Sequence, residues 1–458
     1  MKILHYSLGF PPYRSGGLTK LCTDLMEQQR REGDEVALLW PGSMDIRYPG
    51  KPRIKQHREI KGIGSFELIN PTPVPYDEGI AELSLFLVEG DKETYGLFLD
   101  NLKPDVIHIH TFMGIHYSFI ESAKERQIRL VFTAHDFFPL CTKVTLFKNG
   151  KICNTYSDCS KCPECNNSAL PIWKIKLLQT SLYREIKDTA VISRLRSHHR
   201  NRFLETFEEQ QAESDLETVP ADYIKLRKHF ISMLEMMDVI HYNSSLTKSV
   251  YEYFWKSKAE NSKVLSITHS GISVHAQLKD YDNSLLRITF LGAQSKAKGY
   301  FLLTEALDEI QKSGRQIVLN VPFVPTEPKS YINSTGRYNT DQIKNIMERT
   351  DVLVAPSVCF ETFGFTVLEA LSYGVPVIVS DCVGAKEIIP EGGGMIFDHT
   401  SVRDLISAFG ALNAETLKKM NCNIINAAPV KTIGQFSDEL KTTVYSDQIF
   451  NRTGDYRS

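Results

Sequence analysis

No apolar run in this sequence approaches the roughly 18–20 residues that a membrane-crossing helix needs. Neither sign of charge dominates: 53 Lys and Arg face 55 Asp and Glu, a formal charge of −2. That excludes a global basic field for nucleic acid. With 42 % hydrophobic residues it also excludes disorder of the whole chain, which needs low hydrophobicity and high net charge. The Gly-x-Gly-x-x-Gly fingerprint is missing, which disfavours nicotinamide chemistry. No repeat with a period of about 20–50 residues is present. The apolar stretch at the N-terminus is too short for a secretory signal and reads as a first strand. The expectation is a cytoplasmic protein, free to touch the inner face of a membrane. The nine cysteines are odd in number, which argues against a disulfide framework in such a compartment.

At roughly 150 residues per domain, 458 residues allow about three domains or two large ones. Residues 3–8 are a short apolar run ending at Gly9-Phe10-Pro11-Pro12, which no helix tolerates. Gly16-Gly17 then precedes Leu18, Leu21, Cys22, Leu25 and Met26, one face of a helix. Residues 35–40 form the next strand. The rhythm returns with strands at 105–110 and 129–134, the second ending at His135-Asp136, and another strand begins near 237–240. A second series begins at 286, with strands at 287–292, 317–321, 351–357 and 375–380 and helices at 341–349 and 365–373. Alternation of this kind predicts an α/β chain of two doubly wound parallel sheets facing each other across a cleft. The boundaries are 1–270 for the first domain, with an insertion at 137–221, 283–430 for the second, and a tail at 431–458 packing back on the first.

Ligands of open parallel sheets sit at the carboxyl ends of strands. Four loops occupy such ends: 9–17, 135–136, 292–299 and 357–366. The last carries Glu361, and Glu369 follows eight positions later inside the next helix. Gly364 lets backbone N–H groups approach a ligand closely, and a helix N-terminus suits a diphosphate. Glu369, about one turn into the helix, can accept hydrogen bonds from ribose hydroxyls, and Glu361 from sugar hydroxyls.

On these residues the chain resembles a family 4 retaining glycosyltransferase of the GT-B fold. The matching pattern is Ala355-Pro356-Ser357, the pair Glu361 and Glu369, Gly374-Val375-Pro376-Val377 and the stretch 384–387. Gly16-Gly17 and Thr133-Ala134-His135-Asp136 extend the resemblance to the first half. It implies an acceptor-binding first domain and a second domain that binds a nucleotide sugar. Donor contacts then fall to Gly16, Gly17, Lys298, Gly299, Phe363, Gly364, Phe365, Thr366 and Glu369, with His135 and Glu361 at the transferred sugar. One departure stands out. The family usually places an Arg before the Lys-Gly of the 292–299 loop, to clamp the diphosphate with the Lys. Here that position is Ala293, leaving Lys298 with Lys296 nearby.

The resemblance implies transfer of a hexosyl group from a UDP- or GDP-sugar to an acceptor hydroxyl, with retention and without a catalytic metal. The acceptor would be a glycan or lipid-linked glycan of capsule, exopolysaccharide or another cell-surface polymer. Ala293 keeps a catalytically inactive partner subunit in view, and the paired sheets keep a sugar-nucleotide epimerase.

Two features of the insertion stand apart. The spacing Cys141-x11-Cys153-x5-Cys159-x2-Cys162-x2-Cys165 fits a tetrahedral structural zinc site, with Cys141, Cys153, Cys162 and Cys165 as the four ligands. Free thiols in a loop are the alternative. Between Pro171 and Arg202 eight basic residues accompany Ile172, Trp173, Ile175, Leu177, Leu178 and Leu182. Such a segment suits either an anionic bilayer or an ordinary helical pair with a solvated basic face.

Overall fold

A computed structural model describes residues 1–14, 16–45, 50–75, 79–148, 150–153, 158–180, 183, 189, 219–256 and 260–446. The first half contains β1 (Lys2–Tyr6), α1 (Gly17–Arg31), β2 (Glu35–Pro41), β3 (Arg53–Ile60), β4 (Ile63–Ile69), α2 (Lys92–Leu102), β5 (Val106–Ile109), α3 (Tyr117–Glu125) and β6 (Arg129–Ala134). The insertion adds a small hairpin, β7 (Phe147–Lys148) and β8 (Lys151–Ile152), and two short helices, α4 (Cys162–Cys165) and α5 (Ile172–Leu178). Then come α6 (Pro220–Glu235), β9 (Val239–Tyr242), α7 (Ser245–Trp255) and β10 (Ser262–Val264). The second half runs β11 (Leu286–Thr289), α8 (Tyr300–Lys312), β12 (Ile317–Val321), β13 (Ile332–Ser334), α9 (Ile343–Glu348), β14 (Val352–Ala355), α10 (Phe365–Ser372), β15 (Val377–Ser380), β16 (Gly394–Phe397), α11 (Val402–Gly410) and α12 (Ala414–Ala427). Last comes α13 (Ile433–Leu440), continued by a turn of π-helix at Lys441–Tyr445.

The strands make two sheets, ordered β10-β9-β6-β5-β1-β2-β4-β3 and β13-β12-β11-β14-β15-β16. The second is parallel throughout. The first is parallel except at one edge, where β3 runs antiparallel to β4. Sequence rhythm misses that hairpin for a physical reason. β3 (RIKQHREI) is a charged, largely exposed edge strand, and it lacks the apolar run that marks strands covered on both faces. By contrast β6 (RLVFTA) and β15 (VIVS) are buried at every position.

One apolar cluster bridges the two halves. It joins Ile3, Leu21, Leu25, Val106 and Val131 to Phe363, Val367 and Leu371 and to Phe436, Leu440 and Val444. The last three belong to the C-terminal segment, which crosses back to the first half. There Ser437 and Lys441 bond Glu32, Lys441 also pairs with Asp34, and the Arg129 guanidinium donates to the Val444 carbonyl at 2.9 and 3.1 Å. Among the described residues no helix is long and apolar enough to cross a membrane. In the basic stretch, α5 buries Ile175 while Trp173 is exposed with the Lys174 ammonium 5.5 Å from its ring centroid. Leu182, Arg184, Lys187, Arg194, Arg196, Arg200 and Arg202 lie outside the described residues.

Candidate active site

The loop after β14 is shaped by its glycine and by what packs under it. Gly364 caps α10 at φ 118°, a backbone region closed to most side chains, and it turns the chain so that Phe365 and Thr366 begin the helix. The loop after β11 is pressed against this one. Gly299 has φ 71°, and a Cβ there would stand 1.7 Å from the Pro356 carbonyl oxygen. Only glycine fits, and the fit carries Lys298 to the carboxylate of the neighbouring loop. Its ammonium lies 3.0 Å from Glu361 Oε1, and the Ser357 hydroxyl donates to the same oxygen. Burial alone would lower the Lys298 pKa, but Glu361 outweighs it and holds the ammonium above its ordinary range.

Glu369 sits one turn into α10, and its carboxylate meets a histidine from the segment joining the two halves. His269 Nδ1 accepts the Gly271 N–H at 3.1 Å, so the ring proton is on Nε2, which faces Glu369 Oε1 at 3.3 Å. Phe365 stacks edge-on against His269 and touches Gly17 at the start of α1, where a Cβ would come within 3.1 Å of its ring. Gly17 and the α10 motif therefore meet across the cleft. Lys296 runs elsewhere: its side chain lies beside Gly150, in the hairpin of the insertion.

His135 follows β6 and meets the second half through its backbone. Its carbonyl accepts the Thr362 hydroxyl at 2.9 Å, while the Thr362 carbonyl accepts hydroxyls from Ser244 and Thr247, each at 2.9 Å. Beside them Glu387 caps the N-terminus of α7, accepting the Ser245 and Leu246 N–H groups at 2.8 Å each. Glu387 closes the 384–387 stretch of the family pattern, but its capping role, like the parts played by Thr362, Ser244, Thr247 and His269, escaped sequence reasoning, because each works through a partner far away in the chain. Burial pushes the His135 imidazole down to about 3, and the nearby His241 ring adds to it. Asp136 is pushed the other way, to about 6, by burial, partly offset by the Phe138 N–H at 2.9 Å. His135 is thus neutral near pH 7, whereas Asp136, though shifted toward its protonated form, stays largely ionised there.

Four of the five clustered cysteines, Cys141, Cys153, Cys162 and Cys165, line one cavity of about 400 Å³ in the first half, walled also by Lys148, Arg227 and Phe230. Cys159 is buried outside it and shares a hydrogen bond with Cys162, which pulls Cys159 down and pushes Cys162 up. Burial raises Cys141 to about 11 and also raises Cys165. Among the described residues the sulfurs form no group of three within 4.8 Å of one another. The donor set fits zinc in kind and number, and closing a tetrahedron would draw the cavity walls inward.

Known proteins share this architecture. Residues 15–156 match the family described as Glycosyltransferase Family 4, and residues 286–414 match Glycosyl transferases group 1. An uncharacterised glycosyltransferase of Methanocaldococcus jannaschii is 21 % identical over 403 residues, covering 85 % of this chain and 83 % of its own. Among solved structures, sucrose-phosphate synthase from Thermosynechococcus elongatus superposes with a TM-score of 0.57 at 14 % identity, covering 99 % of this chain and 98 % of that one. Anabaena HepE, in complex with UDP and glucose, superposes at 0.55 and 13 % identity, covering 97 % and 100 %. Two family matches, one in each half, on two facing Rossmann-like sheets identify the chain as a family 4 glycosyltransferase of the GT-B fold.

Proposed function

We propose that the protein moves a hexosyl group from a UDP- or GDP-sugar to an acceptor hydroxyl with retention at the anomeric carbon. The observation that carries this reading is the convergence at α10: Glu361 and Glu369 flank a helix N-terminus, Lys298 stands on Glu361, and Thr362 between them reaches His135. A diphosphate fits the helix N-terminus, with Lys298 moving from Glu361 onto the leaving group. Glu369, beside His269, accepts the ribose hydroxyls. Glu361, once released by Lys298, accepts hydroxyls of the sugar. Closure of the halves excludes the water that would hydrolyse the donor. The mechanism uses no catalytic metal. The HepE complex with UDP and glucose supports the nucleotide class.

The first domain then takes the acceptor, with the insertion setting its identity: a glycan or lipid-linked glycan of a cell-surface polymer. For a lipid-linked acceptor, exposed Trp173 beside Lys174 is suited to an anionic inner membrane face. Cys141, Cys153, Cys162 and Cys165 would hold a structural zinc, which with four thiolates keeps no open position for chemistry. A panel of nucleotide sugars tested for thermal stabilisation, followed by product detection with the best binder, checks the reading. Stabilisation by no nucleotide sugar would overturn it. Stabilisation without turnover on any glycan would favour the inactive partner that Ala293 keeps in view.

A further inference from the structure

Under the carboxyl ends of the first sheet lies a continuous chain of polar side chains with almost no access to water until its last ring, the half-buried His135. It begins at a backbone carbonyl. His241 Nε2 is 2.7 Å from Leu265 O, so that nitrogen carries the proton and Nδ1 is an acceptor. The Thr133 hydroxyl, 2.9 Å away, must therefore donate to Nδ1. With its single proton used, Thr133 can only accept from His108 Nε2 at 2.6 Å. His108 Nδ1 is then an acceptor, and the Tyr445 hydroxyl donates to it at 2.7 Å. Tyr445 in turn accepts from the Gln29 amide at 3.3 Å, which turns Gln29 Oε1 towards His5 Nε2 at 2.8 Å. His5 Nδ1 takes the proton of His110 Nε2 at 2.9 Å, and His110 Nδ1 takes that of His135 Nε2 at 3.0 Å.

Every member gives one hydrogen bond and accepts one, so a single carbonyl sets the direction of the whole chain. We infer that this relay holds His135 as its Nε2–H tautomer, leaving Nδ1 a fixed acceptor for a substrate hydroxyl. Gln29 and Tyr445 are positioning residues in it. The inference deepens the proposed function, on which the substrate hydroxyl depends, while the tautomer itself does not. Asn243 Nδ2 stands 3.5 Å from Nδ1, a long bond that a sugar hydroxyl can replace. Neutral rings are required throughout, and burial supplies them, pushing His5 and His241 down to about 4 and holding His108 and His110 well below the ordinary range. His5, Cys22 and His110 also bring three potential metal ligands together. The relay already uses both nitrogens of each ring, and burial lifts the Cys22 thiol to about 12, so the cluster is committed to hydrogen bonding.

The test is the side-chain nitrogen spectrum of protein labelled with 15N-histidine, with His135→Gln assigning the ring. Wild-type His135 should show a protonated Nε2 and a bare Nδ1. Tyr445→Phe removes one oxygen more than three hundred positions away and keeps the ring packing. It should bring up the Nδ1–H form of His135 and lower kcat by about 10- to 100-fold, with a smaller effect on the donor KM. Gln29→Leu should do the same from the neighbouring link. A wild-type His135 protonated on Nδ1, or His135 signals unmoved in both variants, would overturn the relay. A His135→Gln enzyme with wild-type turnover would instead remove His135 from the proposed site and leave the relay standing.

Discussion

Acid should unfold the first half of this protein at unusually mild pH. His5, His108, His110, His116 and His241 are all at most 2 % exposed, and burial holds every one well below the ordinary 6.5. The folded state therefore keeps them neutral while the unfolded chain protonates them below about pH 6.5. The unfolded state binds more protons, so stability falls as pH falls through about 6.5 and toward the depressed folded values. Between about pH 7.5 and 5.5 each ring loses about 1.4 kcal/mol, and the five together about 7 kcal/mol. His135, down at about 3, adds a further loss of about 1.4 kcal/mol, while Asp136, raised to about 6, returns about 1 kcal/mol because its folded form takes up a proton first. The net loss of about 7 kcal/mol compares with a total stability of about 5–15 kcal/mol. For a unit of this size it corresponds to a fall in Tm of roughly 14–28 °C. All three tryptophans, Trp40, Trp173 and Trp255, lie in the first half, so intrinsic fluorescence follows that half alone. His116→Gln, outside the relay, should shrink the fall by about one fifth. A Tm unchanged between the two pH values would refute the reasoning, because it would mean that these rings titrate alike folded and unfolded.

Three further outcomes are expected. Lys298→Ala should weaken nucleotide-sugar binding by about 10- to 150-fold, the worth of a charged hydrogen bond, measured by calorimetry. Its Tm should move little, because a part-exposed ion pair with Glu361 contributes at most about 1 kcal/mol. Glu369→Ala should raise the nucleotide Kd, whereas Glu361→Ala should lower turnover more than binding, and steady-state kinetics beside equilibrium titration separates the two. Elemental analysis of protein prepared without chelators should find about one zinc per chain, and turnover should need no added divalent ion.

The strands at 317–321 and 129–134 and the start of α10 were legible in the sequence because local pattern and burial agree there. β12 and β6 are mostly apolar and rich in β-branched residues, and Gly364 is followed at once by a helical period. Glu361 and Glu369 could be singled out because both carboxylates stand on one loop and the helix it opens. The relay was not legible. His108 in β5 and His110 just beyond its end are two positions apart, which hints at a shared face, but their partners at positions 5, 29, 241 and 445 are brought together only by the tertiary fold. β3 stayed hidden because an edge strand pays no penalty for charge. The role of Glu387 was invisible for a different reason: it caps a helix of the other half, a contact that no local spacing records.

Tyr445 gives the molecule an order of assembly. A chain emerging from the ribosome completes the eight strands of the first sheet by Val264, yet the hydroxyl that His108 and Gln29 require is still about 180 residues from being made. Until then those groups face an apolar interior unmatched, at a cost of about 1–3 kcal/mol each. The second half must be synthesised, and its last helix must cross back, before the interior of the first is settled. The two halves are thus separable in architecture but not in biogenesis: a fragment ending near residue 270 contains every strand of its sheet and lacks the group that closes its core.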